Sequence, residues 1–241
     1  MAFLTEPRSQ PIFRAPAVIW LIIAVIVGIE LSREYLWLKD TDVIFAQYGF
    51  VPAHYAAAWR AAHHFHAGLF GQLLPFLSYN FLHGSLLHVG ANSVWLLAFG
   101  SVVARNLGTA RFLAFFFLCG VVAAGFYLAL NWGSPDPAIG ASGSIAGMMA
   151  AGIRMAGLNG LADRDDHVFR PLTDRLVLSF TLFWMLANLV AGLLGLGAEP
   201  GQAIAWQAHI GGYLAGLFLI GWIYQPARSG ALEDEIPPPA P

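Results

Sequence analysis

Four polar residues interrupt apolar runs of this sequence and are of types that can do chemistry: His88, Asn92, Ser142 and His209. Ser142 lies in Gly140-Ala141-Ser142-Gly143, at the predicted start of a helix. The first N–H groups of a helix have no partner within it and the dipole there favours negative charge. An attacking serine needs that setting, because an oxyanion forms beside it. The same residue also suits a purely structural use as an N-cap. A hydroxyl is a weak nucleophile until a base takes its proton, and imidazole, with a pKa near ~6.5, is the usual base. His209 is predicted about six residues into the last apolar run, roughly 9 Å below its outer end at ~1.5 Å per residue. By itself it reads equally as a buried histidine bonded to a carbonyl or to water. His88 and Asn92 are spaced i, i+4 and share a helix face. Both side chains can donate, so beside Ser142 they complete an oxyanion hole with its backbone N–H. The alternative is a polar pair that joins two helices, worth about 1 kcal/mol.

The elements that must position these groups follow from composition. Charged residues make up 11% of the 241 residues and hydrophobic ones 58%, against about a quarter charged in a soluble domain. Mean hydropathy is +0.64. So few charges cannot cover a surface facing water, and hydrocarbon is the expected solvent for much of it. A spanning helix needs about 20 apolar residues. Six segments approach that: Ala15–Arg33, Ser85–Ala104, Ala110–Trp132, Ser142–Gly157, Arg175–Leu196 and Ala203–Tyr224. The expected fold is therefore all-α, a polytopic bundle of six transmembrane helices over residues 15–225. A cytoplasmic segment, 1–14, precedes it and a disordered cytoplasmic tail, 226–241, follows. The first run ends at Glu30 without a small-residue cleavage site and reads as a retained helix, not a signal peptide.

Arginine placement predicts the orientation. Arg8, Arg14, Arg105, Arg111, Arg154, Arg164, Arg170, Arg175 and Arg228 fall on one side, and only Arg33, Lys39 and Arg60 on the other. Both termini are then cytoplasmic. Under this topology His88, Asn92, Ser142 and His209 all lie near the outer ends of the second, fourth and sixth helices. Small residues recur every fourth position as Gly143, Gly147 and Ala151 on the fourth helix and as Ala208, Gly212 and Gly216 on the sixth. Such faces permit close helix approach in lipid, and their meeting would bring Ser142 and His209 together.

The remaining features are of lesser weight. The long connection of about 34–84 carries many aromatic residues and is expected in the membrane interface. His83 is expected to brace a loop. His63, His64 and His66 lack an acidic or cysteine partner at zinc-like spacing, and no metal or cofactor is implied. The single Cys119, inside an apolar run, reads as a small packed hydrophobe. No Lys/Arg cluster suggests nucleic acid.

Three motifs, in order on the second, fourth and sixth helices, resemble the rhomboid family of intramembrane serine proteases: His83-Gly-Ser-Leu-Leu-His88-Val-Gly-Ala-Asn92, Gly140-Ala-Ser142-Gly143 and Ala208-His209-Ile-Gly-Gly212. Tyr48-Gly-Phe-Val-Pro52 is similar to a loop segment of many bacterial members. The resemblance covers roughly residues 47–224. It implies Ser142 as nucleophile and His209 as general base in a dyad, His88 and Asn92 as oxyanion donors, and Gly212 as the point of close packing on the fourth helix. It implies membrane-protein substrates cut in or near a transmembrane segment, and a multi-pass place in a bacterial inner membrane. Trp59-Arg60 lies too far from His88 to equate with the Trp-Arg pair of many relatives. Some relatives place an aromatic residue one turn after the serine; here it is Ala146, so the ring of His209 must be oriented by other neighbours.

Two other classes were weighed. A catalytically inactive rhomboid-like protein that binds membrane clients is expected to have lost Ser142 or His209, and both are present. A transporter or proton conductor is expected to spread polar residues through the bilayer, whereas here they gather at one side.

Overall fold

The computed structural model describes residues 15–36, 41–62, 68–155, 169–195 and 204–224. The expected segments 1–14 and 226–241 and the histidines His63, His64 and His66 lie outside the described residues. Among the described residues the longer helices are α1 (Ala17–Leu31), α2 (Leu86–Leu107), α3 (Thr109–Leu130), α4 (Ser142–Arg154), α5 (Arg175–Leu194) and α6 (Trp206–Ile223). Among the described residues the only extended pairing is an isolated bridge between Phe50 and Ala138. Three helices of the described residues, α2, α3 and α5, are long and apolar enough to cross a membrane.

Local chemistry sets the helix limits. Pro16 stands just before α1, where its missing N–H costs nothing. At the far end of α1 the chain widens into a π turn, Ser32–Leu36. There Arg33 forks onto buried Glu30, at 3.1 and 2.5 Å, and also reaches Thr41 Oγ1 and the Gly84 carbonyl. One guanidinium thus ties α1 to the residue before the N-cap of α2. That cap is Ser85, whose Oγ accepts from the His88 N–H at 3.2 Å. Gly108, at φ +74°, ends α2, and α3 begins at the next residue. Asp174 caps α5 with Oδ1 on the Leu176 and Val177 N–H groups, and left-handed Gly195 closes it.

The ends of α4 and α6 differ from the sequence expectation. The helix expected to reach Gly157 stops at Arg154. There the guanidinium turns back to the Leu217 and Arg170 carbonyls, at 2.6 and 3.1 Å, and lies over the Phe169 ring. The helix expected from Ala203 begins at Trp206. Residues Ile204 and Ala205 are not helical, so His209 is in the first turn of α6, not six residues down.

The connection between α1 and α2 is not a plain interfacial loop. It forms short helices at Thr41–Tyr48, Ala57–Ala62, Leu69–Leu73 and Pro75–Ser78. Two groups of its apolar side chains stand out. Phe50, Tyr55, Phe76 and Tyr79 stack into one cluster that packs against Ala123, Ala124 and Tyr127 of α3. Leu69, Phe70 and Leu73 are instead exposed, on a surface suited to lipid. The first group fills a core, and the second leaves apolar side chains on the surface.

The centre of the bundle is α4, buried along almost its whole length. Its glycines and alanines leave room for the α6 backbone. A Cβ placed on Gly212 would overlap the Gly143 carbonyl oxygen, and one on Gly216 the Gly147 carbonyl oxygen. On the other side, Gly147 faces Cys119 of α3. The two small-residue faces, whose spacing permits close approach, do meet.

This contact generates a prediction. Gly216→Ala should destabilise the protein by about 1–3 kcal/mol through overpacking, read as a lower thermal midpoint in detergent. Gly125→Ala, where nothing lies within 4 Å of the added methyl, should be neutral or gain up to ~1 kcal/mol from the better helix former. Equal midpoints for the two variants would show that α4 and α6 are not in backbone contact.

Candidate active site

Ser142 is the first residue of α4, and the N-cap position belongs to Ala141. Its hydroxyl is therefore not spent on capping. It points across the α4–α6 contact and lies 2.7 Å from His209 Nε2. The close approach at Gly212 makes this possible, because Gly212 sits one turn below His209 and fixes how near the two helix starts come. As the first helical residue, Ser142 has an N–H with no acceptor inside the helix.

The loop leading into Ser142 is held from three sides. Phe50 and Ala138 exchange backbone bonds at 3.0 and 2.9 Å, and the Ala53 N–H reaches the Ser134 carbonyl at 2.9 Å. The Gly140 N–H donates to the Tyr79 carbonyl at 2.9 Å, while the Tyr79 hydroxyl donates to the Gly120 carbonyl of α3 at 2.8 Å. The Ala141 N–H reaches Nε2 of fully buried His83 at 3.5 Å, the bracing part expected of that residue. Gly140 itself has φ +108°, a conformation natural to glycine alone.

His88 and Asn92 lie on the α2 face turned to this loop. A Cβ on Gly140 would stand 2.9 Å from His88 Nε2 and 3.6 Å from Asn92 Nδ2. His88 Nδ1 accepts from the Gly84 N–H at 3.5 Å, which leaves the ring proton on Nε2 as a donor toward the Gly140–Ser142 turn. Asn92 is buried, and its Nδ2 has no hydrogen-bond partner. An orphaned buried donor is rare and calls for a reason; an anionic oxygen formed beside Ser142 would satisfy it.

All four predicted residues thus surround one cavity of about 770 Å³. Its walls are α2, with Leu87 and Trp95, and α5, with Phe183 and Trp184, while Asp42 and Asp136 also line it. Chemically, the arrangement can pass a hydroxyl proton to an imidazole and set N–H donors about the carbon under attack. Gly143, Gly147 and Gly212 bring the two helices together without touching reacting atoms.

One residue of the site escaped sequence reasoning. Asn188 of α5 places Oδ1 2.8 Å from His209 Nδ1. The signal was present, since Asn188 is the single amide side chain in the apolar run Arg175–Leu194, and a polar group at membrane depth needs a purpose. It went unread because nothing in its spacing links it to a residue twenty-one positions on.

These features define a class, an all-helical integral membrane protein with a serine and a histidine joined inside the bundle. The family model for the Rhomboid domain matches residues 70–226, and the chain belongs to the rhomboid family. It is 30% identical over 151 residues to the Rhomboid protease GlpG of Pectobacterium atrosepticum, a match covering 63% of this chain and 49% of that protein. It is 26% identical over 151 residues to the Rhomboid protease GlpG of Yersinia pseudotuberculosis, covering 63% and 48%. The chain spans about half the length of the curated relatives it matches.

The loop geometry is open to test. Gly140→Ala forces a side chain into the positive-φ region and against the His88 ring. It should lower stability by about 1–3 kcal/mol, seen in the thermal midpoint. An unchanged midpoint would mean that the turn before Ser142 takes another path.

Proposed function

We propose that this protein is an intramembrane serine endopeptidase that cuts membrane proteins in or near a transmembrane segment. The observation that carries the reading is the 2.7 Å contact between Ser142 Oγ and His209 Nε2, set within a membrane-embedded family whose matched relatives are named proteases. His209 takes the hydroxyl proton as Ser142 Oγ attacks the scissile carbonyl carbon. The Ser142 N–H, His88 Nε2–H and Asn92 Nδ2–H stabilise the oxyanion. Collapse of the tetrahedral species expels the amine, which receives the proton from His209, and leaves an ester on Ser142. Water then attacks that ester, again through His209, and releases the carboxylic acid. No metal or cofactor enters the scheme.

The architecture proposed is six spans over 15–225, with both termini on the cytoplasmic side of a bacterial inner membrane. α1 and its π turn run without a break over 17–36, about 30 Å at ~1.5 Å per residue. α4 covers only about 20 Å by the same rise and starts below the membrane surface. Irregular backbone is tolerated at that depth where it is packed against protein or water, which the bonded loop over 133–141 provides. A substrate helix reaches the cavity sideways, between α2 and α5. The outward side chains of α5, including Leu178, Leu182, Phe183 and Leu186, are exposed and apolar. Peptide must be extended there to present its carbonyl, because a helix hides it. An inactive client-binding relative has no need of a serine hydroxyl on an imidazole nitrogen beside an unsatisfied buried donor.

Two measurements check this. Detergent-solubilised wild type should react with a fluorophosphonate probe, while Ser142→Ala and His209→Ala, folded, should lose labelling by at least ~100-fold. A folded wild type that never labels, in detergent or in liposomes, speaks for client binding instead. For the sideways path, Trp95→Cys and Phe183→Cys in a Cys119→Ala background should allow α2 and α5 to be joined by a bifunctional thiol reagent. Complete joining should abolish cleavage of a single-span membrane substrate, and undiminished cleavage would exclude that route.

A further inference from the structure

Resting on the protease reading above, we propose that Asn188 is a positioning residue: it holds His209 in the tautomer that Ser142 requires, and it does so only while α5 is seated on α6. The argument begins with the amide itself. Asn188 Nδ2 donates to the Trp206 carbonyl at 3.0 Å. A carbonyl only accepts, so this bond decides which end of the amide is which. Oδ1 is thereby turned to His209 Nδ1 at 2.8 Å. An amide oxygen also only accepts, so Nδ1 must carry the imidazole proton. Nε2 is left with its lone pair toward the Ser142 hydroxyl. The chain Trp206 carbonyl, Asn188, His209, Ser142 therefore runs in one donor–acceptor sense, and reversing any member would set two acceptors or two donors against each other. When His209 becomes imidazolium during attack, the Oδ1 dipole already faces the new charge. No aromatic ring does this orienting work from α4, because Ala146, one turn beyond Ser142, has only a methyl group.

The place of Asn188 adds a condition. Thr181, Trp184, Asn188 and Gly192 form one face of α5, and each touches α6. Thr181 Oγ1 and the Tyr213 hydroxyl are 2.9 Å apart. Trp184 stacks on Tyr213 with ring centroids 4.4 Å apart. Gly192 lies so close to Trp206 that a Cβ would overlap its indole ring. α5 also meets α4, where Val177 is buried beside Ala146, Met149 and Ala150, and Phe180 lies 5.9 Å from the Phe99 ring of α2, but the rest of its surface is largely exposed. A hydrogen bond fails when its atoms separate by about 1 Å, so moving α5 to widen the cavity releases the base. Bond making is then confined to the state in which α5 has closed again.

The test uses the full chain in liposomes with a single-span membrane substrate, and active-site titration to count folded enzyme. Asn188→Leu keeps volume and removes the acceptor, with Asn188→Ala as the second variant should leucine not be accommodated. Either should lower kcat per titrated site roughly tenfold or more, with little change in KM. Asn188→Asp keeps the acceptor and should retain most of kcat. Its acid limb in kcat/KM should shift to higher pH, because a carboxylate beside imidazole favours the protonated ring. A role confined to packing leaves kcat per site and the pH limb unmoved in all three variants. The tautomer is read independently by nitrogen NMR of histidine-labelled protein, the His209 signal being the one lost in His209→Ala. It should be Nδ1-protonated in wild type and mixed or Nε2-protonated in Asn188→Leu. Cleavage that depends on Ser142 and His209, with tautomer and turnover unchanged in Asn188→Leu, overturns the positioning role and leaves the protease. An Asn188-dependent tautomer in a wild type that cleaves nothing overturns the protease and leaves only the orientation.

Discussion

The backbone contact between α4 and α6 is the constraint on which the rest of the molecule depends. At Gly212 and Gly216 no Cβ separates the α6 chain from the Gly143 and Gly147 carbonyl oxygens. Without water to drive association, helices in lipid gain stability from such close packing. Here the same closeness sets the distance between the first turns of two helices, and so between a hydroxyl and an imidazole. A methyl group at either glycine would push the helix starts apart by more than a hydrogen bond can span. Stability and chemistry are held by one contact.

Around it, the fold answers a single problem, how to keep polar groups at depth in an apolar molecule. Most of them are paired. Arg33 is held by Glu30, and Ser144 donates to Asn80 Oδ1 at 2.7 Å. Arg154 is satisfied by two carbonyls and a ring face. The loop before Ser142 is irregular, yet its N–H groups at 138, 140 and 141 all find acceptors in the segment 50–83. That segment is therefore less a linker than a lining, with Phe50 and Tyr79 filling the space between loop and α3. Four buried polar atoms among the described residues lack a partner, His83 Nδ1, Asn92 Nδ2, Ser101 Oγ and Arg170 Nε, and of these residues only Asn92 lines the cavity beside Ser142. Its place beside the serine is what suits the Asn92 donor to the proposed oxyanion role.

α5 stands apart. The other long helices bury a face in the bundle, while α5 exposes most of its length and touches the core along one stripe. A helix held so lightly is the natural moving wall of a cavity, in line with the rule that mobile elements are the less stable ones. That it also carries the acceptor for His209 Nδ1 joins access and alignment in one element. In the proposed mechanism, opening admits a substrate and undoes the base, and closing restores the base with the substrate inside.

Much was legible in the sequence, for identifiable reasons. Scarce charge and long apolar runs dictate helices in lipid, because unsatisfied backbone cannot exist there. Spacing of four places His88 with Asn92, and Gly143 with Gly147, on single faces whatever the fold. Motif order carried the family, which the domain match over 70–226 shows. The early end of α4 was legible in Arg154, but its anchor on the Leu217 carbonyl was not, since it is set across the bundle, and neither was the start of α6 at Trp206. Nor was it legible which rings of the aromatic segment pack on α3, because composition does not say which side chains turn inward. Asn188 was missed for a related reason. A local pattern reports which residues share a helix face, but which faces meet is decided by packing between distant segments. The sequence by itself determined the solvent, the helices and the kinds of reactive group; only the tertiary structure decided their distances, because those depend on how closely backbones approach.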